Sequence, residues 1–93
     1  MNKNYLEEAK DLFEAIVGLQ SAEECADFFE DLCTIKEIED MSQRFKVARL
    51  LQEKKSYNEI SELTGASTAT ISRVSRCLRY GDGYKTALDK KEG

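Results

Sequence analysis

Three observations predict an all-α fold for this 93-residue chain. It contains no proline, its apolar residues recur at intervals of three and four, and a Ser or Thr is repeatedly followed three residues later by Glu where such an apolar run begins. Proline breaks helix interiors, the three-and-four spacing lines up one face of a helix, and the Ser/Thr-x-x-Glu pattern is a capping box that satisfies free N–H groups at a helix start. About six helices with short joints are expected, forming one domain over residues 1–93.

The elements follow in order. A first helix begins near Asn4, carries Leu6, Ala9, Phe13, Ile16 and Val17, and ends near Gly18. Ser21 with Glu24 opens a second, bearing Ala26, Phe28, Phe29, Leu32 and Cys33. Thr34 with Glu37 opens a longer third helix with Ile38, Met41, Phe45, Val47, Ala48, Leu50 and Leu51. Lys54 and Lys55 lie at its C-terminal end, where positive charge complements the helix dipole. Ser56 with Glu59 caps a fourth helix from Tyr57, whose inward positions are Tyr57, Ile60, Ser61 and Leu63. Gly65 stops it, because the turn there calls for a left-handed residue. Ser67 caps a fifth helix with Ile71, Val74 and Leu78 inward, and Gly81-Asp82-Gly83 breaks it. A short sixth helix over Tyr84 to Asp89 carries Tyr84, Ala87 and Leu88.

Adjacent large residues in the first two helices, Leu12-Phe13, Ile16-Val17 and Phe28-Phe29, place apolar surface on more than one face. In so short a chain this excess predicts burial against a second copy, with residues 4–55 carrying most of the dimer contact.

Several function classes are excluded by what the chain lacks. It has no histidine, no glycine-rich phosphate loop and no nucleophile beside a base, so no catalytic constellation is present. Its three cysteines, Cys25, Cys33 and Cys77, lack metal-ligand spacing and read as small buried hydrophobes of a reducing cytoplasm. Neither a metal nor another cofactor is expected, and no apolar run is long enough for a membrane span. The net charge of −4 is unevenly spread. Residues 42–80 hold eight Lys and Arg against three Glu, while residues 1–41 hold three Lys against twelve Asp and Glu. A basic segment beside an acidic one is the asymmetry of a nucleic-acid binder.

Residues 56–80 concentrate the functional signal. Two short helices joined at Gly65 make a helix-turn-helix, whose second helix enters the major groove of double-stranded DNA. The small Ser61 lets the two helices cross closely. Ser67, Thr68, Ala69, Thr70, Ser72 and Arg73 fall where base edges would be read: hydroxyls donate or accept, and methyl groups touch thymine. Arg76 with Lys54, Lys55, Tyr57 and Asn58 would position the phosphate backbone. The same helical hairpin could instead dock a protein of the transcription machinery, with the acidic N-terminal part facing that partner.

The runs T-I-K-E-I-E-D-M-S-Q-R-F-K-V-A-R-L-L, K-S-Y-N-E-I and G-A-S-T-A-T-I-S-R resemble the Trp repressor superfamily, most closely its small YerC/YecD-type branch. The resemblance implies an intertwined all-helical homodimer that represses transcription from a near-palindromic operator. It also implies a test of the corepressor site. Arg44 matches the family arginine that holds the ligand carboxylate, given a chain one residue shorter before Ser56; Arg73 matches the arginine packed over the indole, and Thr34 matches a threonine facing the ligand. Two positions depart: Val74 stands where the tryptophan-binding repressor has glycine, and Cys77 where it has a ligand-holding serine. Overpacking and a lost hydrogen-bond partner each cost about 1–3 kcal/mol. Tryptophan binding is therefore expected to be weak or absent, leaving Arg44 and Arg73 to another small anionic effector, to acidic side chains or to DNA.

Overall fold

The computed structural model describes residues 4–92; residues 1–3 and 93 of the expected single domain lie outside the described residues. Among the described residues all regular structure is helical, as expected, but there are seven helices instead of six. They are α1 (Asn4–Glu8), α2 (Lys10–Val17), α3 (Ala22–Leu32), α4 (Ile35–Gln52), α5 (Tyr57–Thr64), α6 (Thr68–Tyr80) and α7 (Gly83–Glu92). They fall into two compact units, residues 1–35 and 36–93.

In the first unit, the single helix expected over residues 4–18 is divided at Ala9, whose ψ of 0° departs from helical geometry. Backbone bonds run on across the division, from the Ala9 N–H to the Tyr5 carbonyl at 3.0 Å and from the Phe13 N–H to the Ala9 carbonyl at 2.9 Å. The extra helix is thus a local distortion of the expected one. Ser21 caps α3 by accepting from the Glu24 N–H at 3.0 Å. The Glu24 carboxylate reaches back one residue further than a capping box requires, to the Gln20 N–H at 2.9 Å. No described residue of α1, α2 or α3 is buried.

The second unit holds the core. Val47, Ala48 and Leu50 of α4, Ile60 of α5, Ala66 of the turn, Ile71 and Val74 of α6 and Leu88 of α7 form one buried cluster, with Phe45, Leu51, Leu78 and Tyr84 packed against it. Phe45 and Tyr84 stack obliquely, with ring centroids 6.5 Å apart. The long helix α4 starts directly after Thr34, and an exposed pair of Lys36 Nζ with Asp40 Oδ1 at 2.7 Å braces its first turns. The hydrogen bond to that carboxylate raises the Lys36 ammonium above its ordinary pKa.

Several burial expectations are corrected. Of the three cysteines expected to be buried, Cys25 and Cys33 are half-buried and Cys77 is exposed, because α3, which carries Cys25 and ends at Cys33, buries no residue and Cys77 lies off the Ile71–Val74 face of α6. Tyr57 and Leu63 were expected to face inward but are 41 % and 56 % exposed. On a helix of only eight residues, Ile60, Ser61 and Thr64 supply the whole inward stripe. The last helix runs from Gly83 to Glu92, longer than Tyr84 to Asp89, and it buries Leu88 while Ala87 is exposed. The reason is spacing: Tyr84 and Leu88, four apart, already define the packed face, and Ala87 lies beside it.

The helix boundaries depend on two glycines for different reasons. Gly65 ends α5 at φ 75°, in open space, so only conformation demands glycine there. Gly81 ends α6 in extended conformation, but an added Cβ would meet the Cys77 carbonyl oxygen at 2.9 Å. Gly65→Ala is expected to lower unfolding free energy by about 1–2 kcal/mol through left-handed backbone strain alone. Gly65→Asn should recover part of that loss, since asparagine tolerates the region. Chemical denaturation of the two variants checks this, and equal losses would place the cause elsewhere than in φ.

Candidate nucleic-acid interface

The two helices of the candidate reading head are fixed by hydrogen bonds at every joint. At the start of α5, Ser56 Oγ accepts from the Glu59 N–H at 3.1 Å, and Glu59 Oε1 accepts from the Ser56 N–H at 3.4 Å, completing the capping box. At its end the Thr64 hydroxyl donates to the Ile60 carbonyl at 2.7 Å and accepts from the Ala66 N–H at 3.1 Å. Ser61 Oγ donates to the Ala66 carbonyl at 3.0 Å, and Gln43 Nε2 of α4 donates to the Thr64 carbonyl at 3.1 Å. The turn therefore has a polar clamp on one side and buried Ala66 on the other. Thr64 and Gln43 were not singled out from the sequence. Serine or threonine beside a turn glycine is a signal for such local bonds, whereas a glutamine 21 residues away carries none.

The start of α6 divides the expected base-reading residues into two groups. Ser67 Oγ accepts from the Thr70 N–H at 3.1 Å and donates to Thr70 Oγ1 at 3.1 Å. These two hydroxyls are engaged with each other and with the helix end, and Thr70 is half-buried. Thr68, Ala69 and Arg73 are exposed, and Ser72 is half-buried. Ser67 and Thr70 thus shape the helix start, while Thr68, Ala69, Ser72 and Arg73 hold the groups available to a groove. Arg76 is exposed further along, and α6 carries three arginines and no carboxylate. A basic helix free of acids is suited to a polyanion.

The expected backbone-positioning residues Lys54, Lys55, Tyr57 and Asn58 are all exposed around the start of α5. Lys54 has φ 68°, the one non-glycine residue with positive φ among those described. Its N–H bonds to the Leu51 carbonyl at 3.0 Å and the Lys55 N–H to the Leu50 carbonyl at 3.1 Å, the paired bonds of a Schellman stop. Glycine is the usual residue in that position, and a lysine there carries backbone strain.

The effector candidates are placed differently. Val74 is 1 % exposed within the core cluster, so its side chain occupies the interior of the unit. Arg44 is half-buried on α4, whereas Arg73 and Cys77 are exposed on α6 and Thr34 precedes α4. A groove of about 330 Å³ lies along α4 and the end of α5, lined by Ile38, Ser42, Gln43, Lys46 and Leu63 among others. None of the five candidates lines it. No group of acidic or cysteine side chains able to hold a metal ion occurs among the described residues. None of their helices is long and apolar enough to cross a membrane.

Comparison with known proteins matches this arrangement to a family. The model of the family described as Trp repressor protein matches residues 7–92. The uncharacterized protein YerC of Bacillus subtilis (strain 168) is 56 % identical over 84 residues, covering 89 % of this chain and 81 % of that protein. The crystal structure of a TrpR like protein from Eubacterium eligens ATCC 27750 superposes with a TM-score of 0.90 at 50 % identity, covering 97 % of this chain and 96 % of that one.

The strained lysine yields a prediction. Lys54→Gly should raise unfolding free energy by roughly 1 kcal/mol by relieving the positive φ, despite the loss of a side chain. Thermal or urea unfolding compared with Lys55→Gly isolates the effect, because Lys55 is not in the left-handed region.

Proposed function

This chain belongs to the Trp repressor family, and from that membership we propose that it is a sequence-specific DNA-binding transcriptional repressor acting as a homodimer. The observation that carries the reading is the capped helix-turn-helix with an acid-free second helix whose first turn leaves Thr68 and Ala69 exposed. Thr68, Ala69, Ser72 and Arg73 read base edges in the major groove, with Ser67 and Thr70 holding the helix start in shape. Arg76, Lys54, Lys55, Tyr57 and Asn58 grip phosphates on either side.

Dimerisation is supported by the first unit. Its helices bury no residue, and Tyr5, Phe13, Val17 and Leu32 are 61 %, 45 %, 84 % and 50 % exposed. Short helices without a buried face are marginal in water, so a second copy is the natural cover for this surface. A two-fold dimer would present its recognition helices to half-sites about one helical turn apart.

The arrangement of α6 supports a repressor that does not respond to tryptophan. Val74 packs in the core, and Cys77 supplies a thiol where a good hydrogen-bond partner for an ammonium group would be needed. Arg44 and Arg73 remain available to a different small anion or to DNA.

Selection of genomic fragments by the purified chain at two salt concentrations, with and without L-tryptophan, tests the reading. Discrete, salt-sensitive fragments whose retention is unchanged by tryptophan are expected. Absence of selective retention in all four conditions would sink it in favour of a protein-docking module. On a selected fragment, Thr68→Ala should relax base preference, whereas Arg76→Ala should weaken all sequences alike and reduce the salt slope by about 1.

A further inference from the structure

A second groove, of about 480 Å³, opens where the C-terminal ends of α4 and α6 meet the first turn of α7. Leu51 and Leu78 give it an apolar lining, Ser75 contributes a hydroxyl, and Lys54, Arg79 and Lys85 supply three positive charges. No carboxylate lines it, and none of these three cations is in an ion pair among the described residues. Like charges converging on a cleft repel one another and focus a positive field into it, an arrangement complementary to a concentrated anion. Lys54 lines the groove from the left-handed position at φ 68°.

The register of α6 shows what the groove adjoins. Thr68, Ser72, Ser75 and Arg79, spaced four, three and four residues apart, share one helical face. The first two belong to the candidate base-reading end and the last two line the groove. Arg79 lies about 16 Å further along the axis than Thr68 at the helical rise per residue. That distance exceeds the depth of the major groove, about 8.5 Å, so with the helix tip among base edges this end lies outside the groove, where only the sugar-phosphate backbone is within reach of long side chains.

We propose that the groove formed by Lys54, Ser75, Arg79 and Lys85 is a phosphate seat that grips a DNA backbone phosphate outside the base pairs read by the start of α6. The proposal rests on the DNA-binding reading for the source of its phosphate; the chemistry recognised is a phosphate anion held by ammonium, guanidinium and hydroxyl donors.

The test pairs two probes on the full chain. Fluorescence anisotropy with a labelled duplex, over about 50 to 200 mM salt, compares wild type with Arg79→Gln/Lys85→Gln, which leaves Lys54 in place, and with Lys90→Gln/Lys91→Gln, which removes equal charge elsewhere. Amide NMR shifts on titration with inorganic pyrophosphate report on the groove without DNA. Circular-dichroism melting verifies folding; if the groove variant does not fold, Lys85→Gln against Lys90→Gln makes the same comparison. A salt slope reduced by about 1 or more in the groove variant beyond the change in the control supports the seat. Equal slopes in the two variants, with wild type binding DNA, overturn the seat and leave the DNA-binding reading standing. Wild type that binds no duplex, but whose groove amides shift saturably with pyrophosphate and lose that shift in the groove variant, keeps the seat for free phosphate anions and removes the DNA-binding reading. No response to either probe overturns both.

Discussion

One small apolar cluster decides the geometry of the second unit. Eight buried residues drawn from α4, α5, α6, α7 and the turn at Ala66 meet in a single core, and no buried polar group interrupts it among the described residues. Because α5 and α6 are short, neither presents a broad apolar face. Each depends on one or two side chains, Ile60 on α5 and Ile71 with Val74 on α6, to hold its angle. Removing buried atoms at such sites costs about 2–5 kcal/mol and would turn the helices as well as loosen them. The placement of Thr68 and Arg73 at the surface is therefore a product of packing several residues away.

Around that core, polar side chains set the chain's direction changes. Capping at Ser56 and Ser67, the hydroxyl clamp of Thr64 and Ser61, and the glutamine reaching from α4 each satisfy backbone groups that would otherwise be left open at a helix end. Caps are typically worth about 1 kcal/mol each, small beside the core but directional. Hydrophobic burial brings the helices together, and these bonds choose the turn between them.

Much of this was legible in the sequence, because local chemistry marks local structure. Ser56, Gly65 and Ser67 announced their caps and turn, and Ile60, Ile71 and Val74 their burial, through spacing alone. The misreadings have separate causes. Tyr57 and Leu63 are apolar at near-helical spacing, yet an eight-residue helix has room for only a narrow inward stripe. Gln43 was silent because its partner is 21 residues away, and tertiary hydrogen bonds leave no periodic trace. The division at Ala9 follows from a backbone angle that alanine does nothing to advertise. At the candidate site, composition identified the hydroxyls of α6 but not which of them point at each other. The groove at Lys54, Arg79 and Lys85 depends on three separate helix ends meeting.

The wholly apolar core has a consequence for how acid would act on the protein. With no ionisable side chain buried in the described residues, lowering the pH gives the interior nothing to protonate and so no direct cause to open. The carboxylates concentrated in residues 1–41 lie outside that interior. The polar and ionised groups that shape the second unit, the Glu59 carboxylate of the capping box among them, sit at helix ends on its surface and not in its core. Charge and the packed interior are thus carried by different side chains of the same short helices.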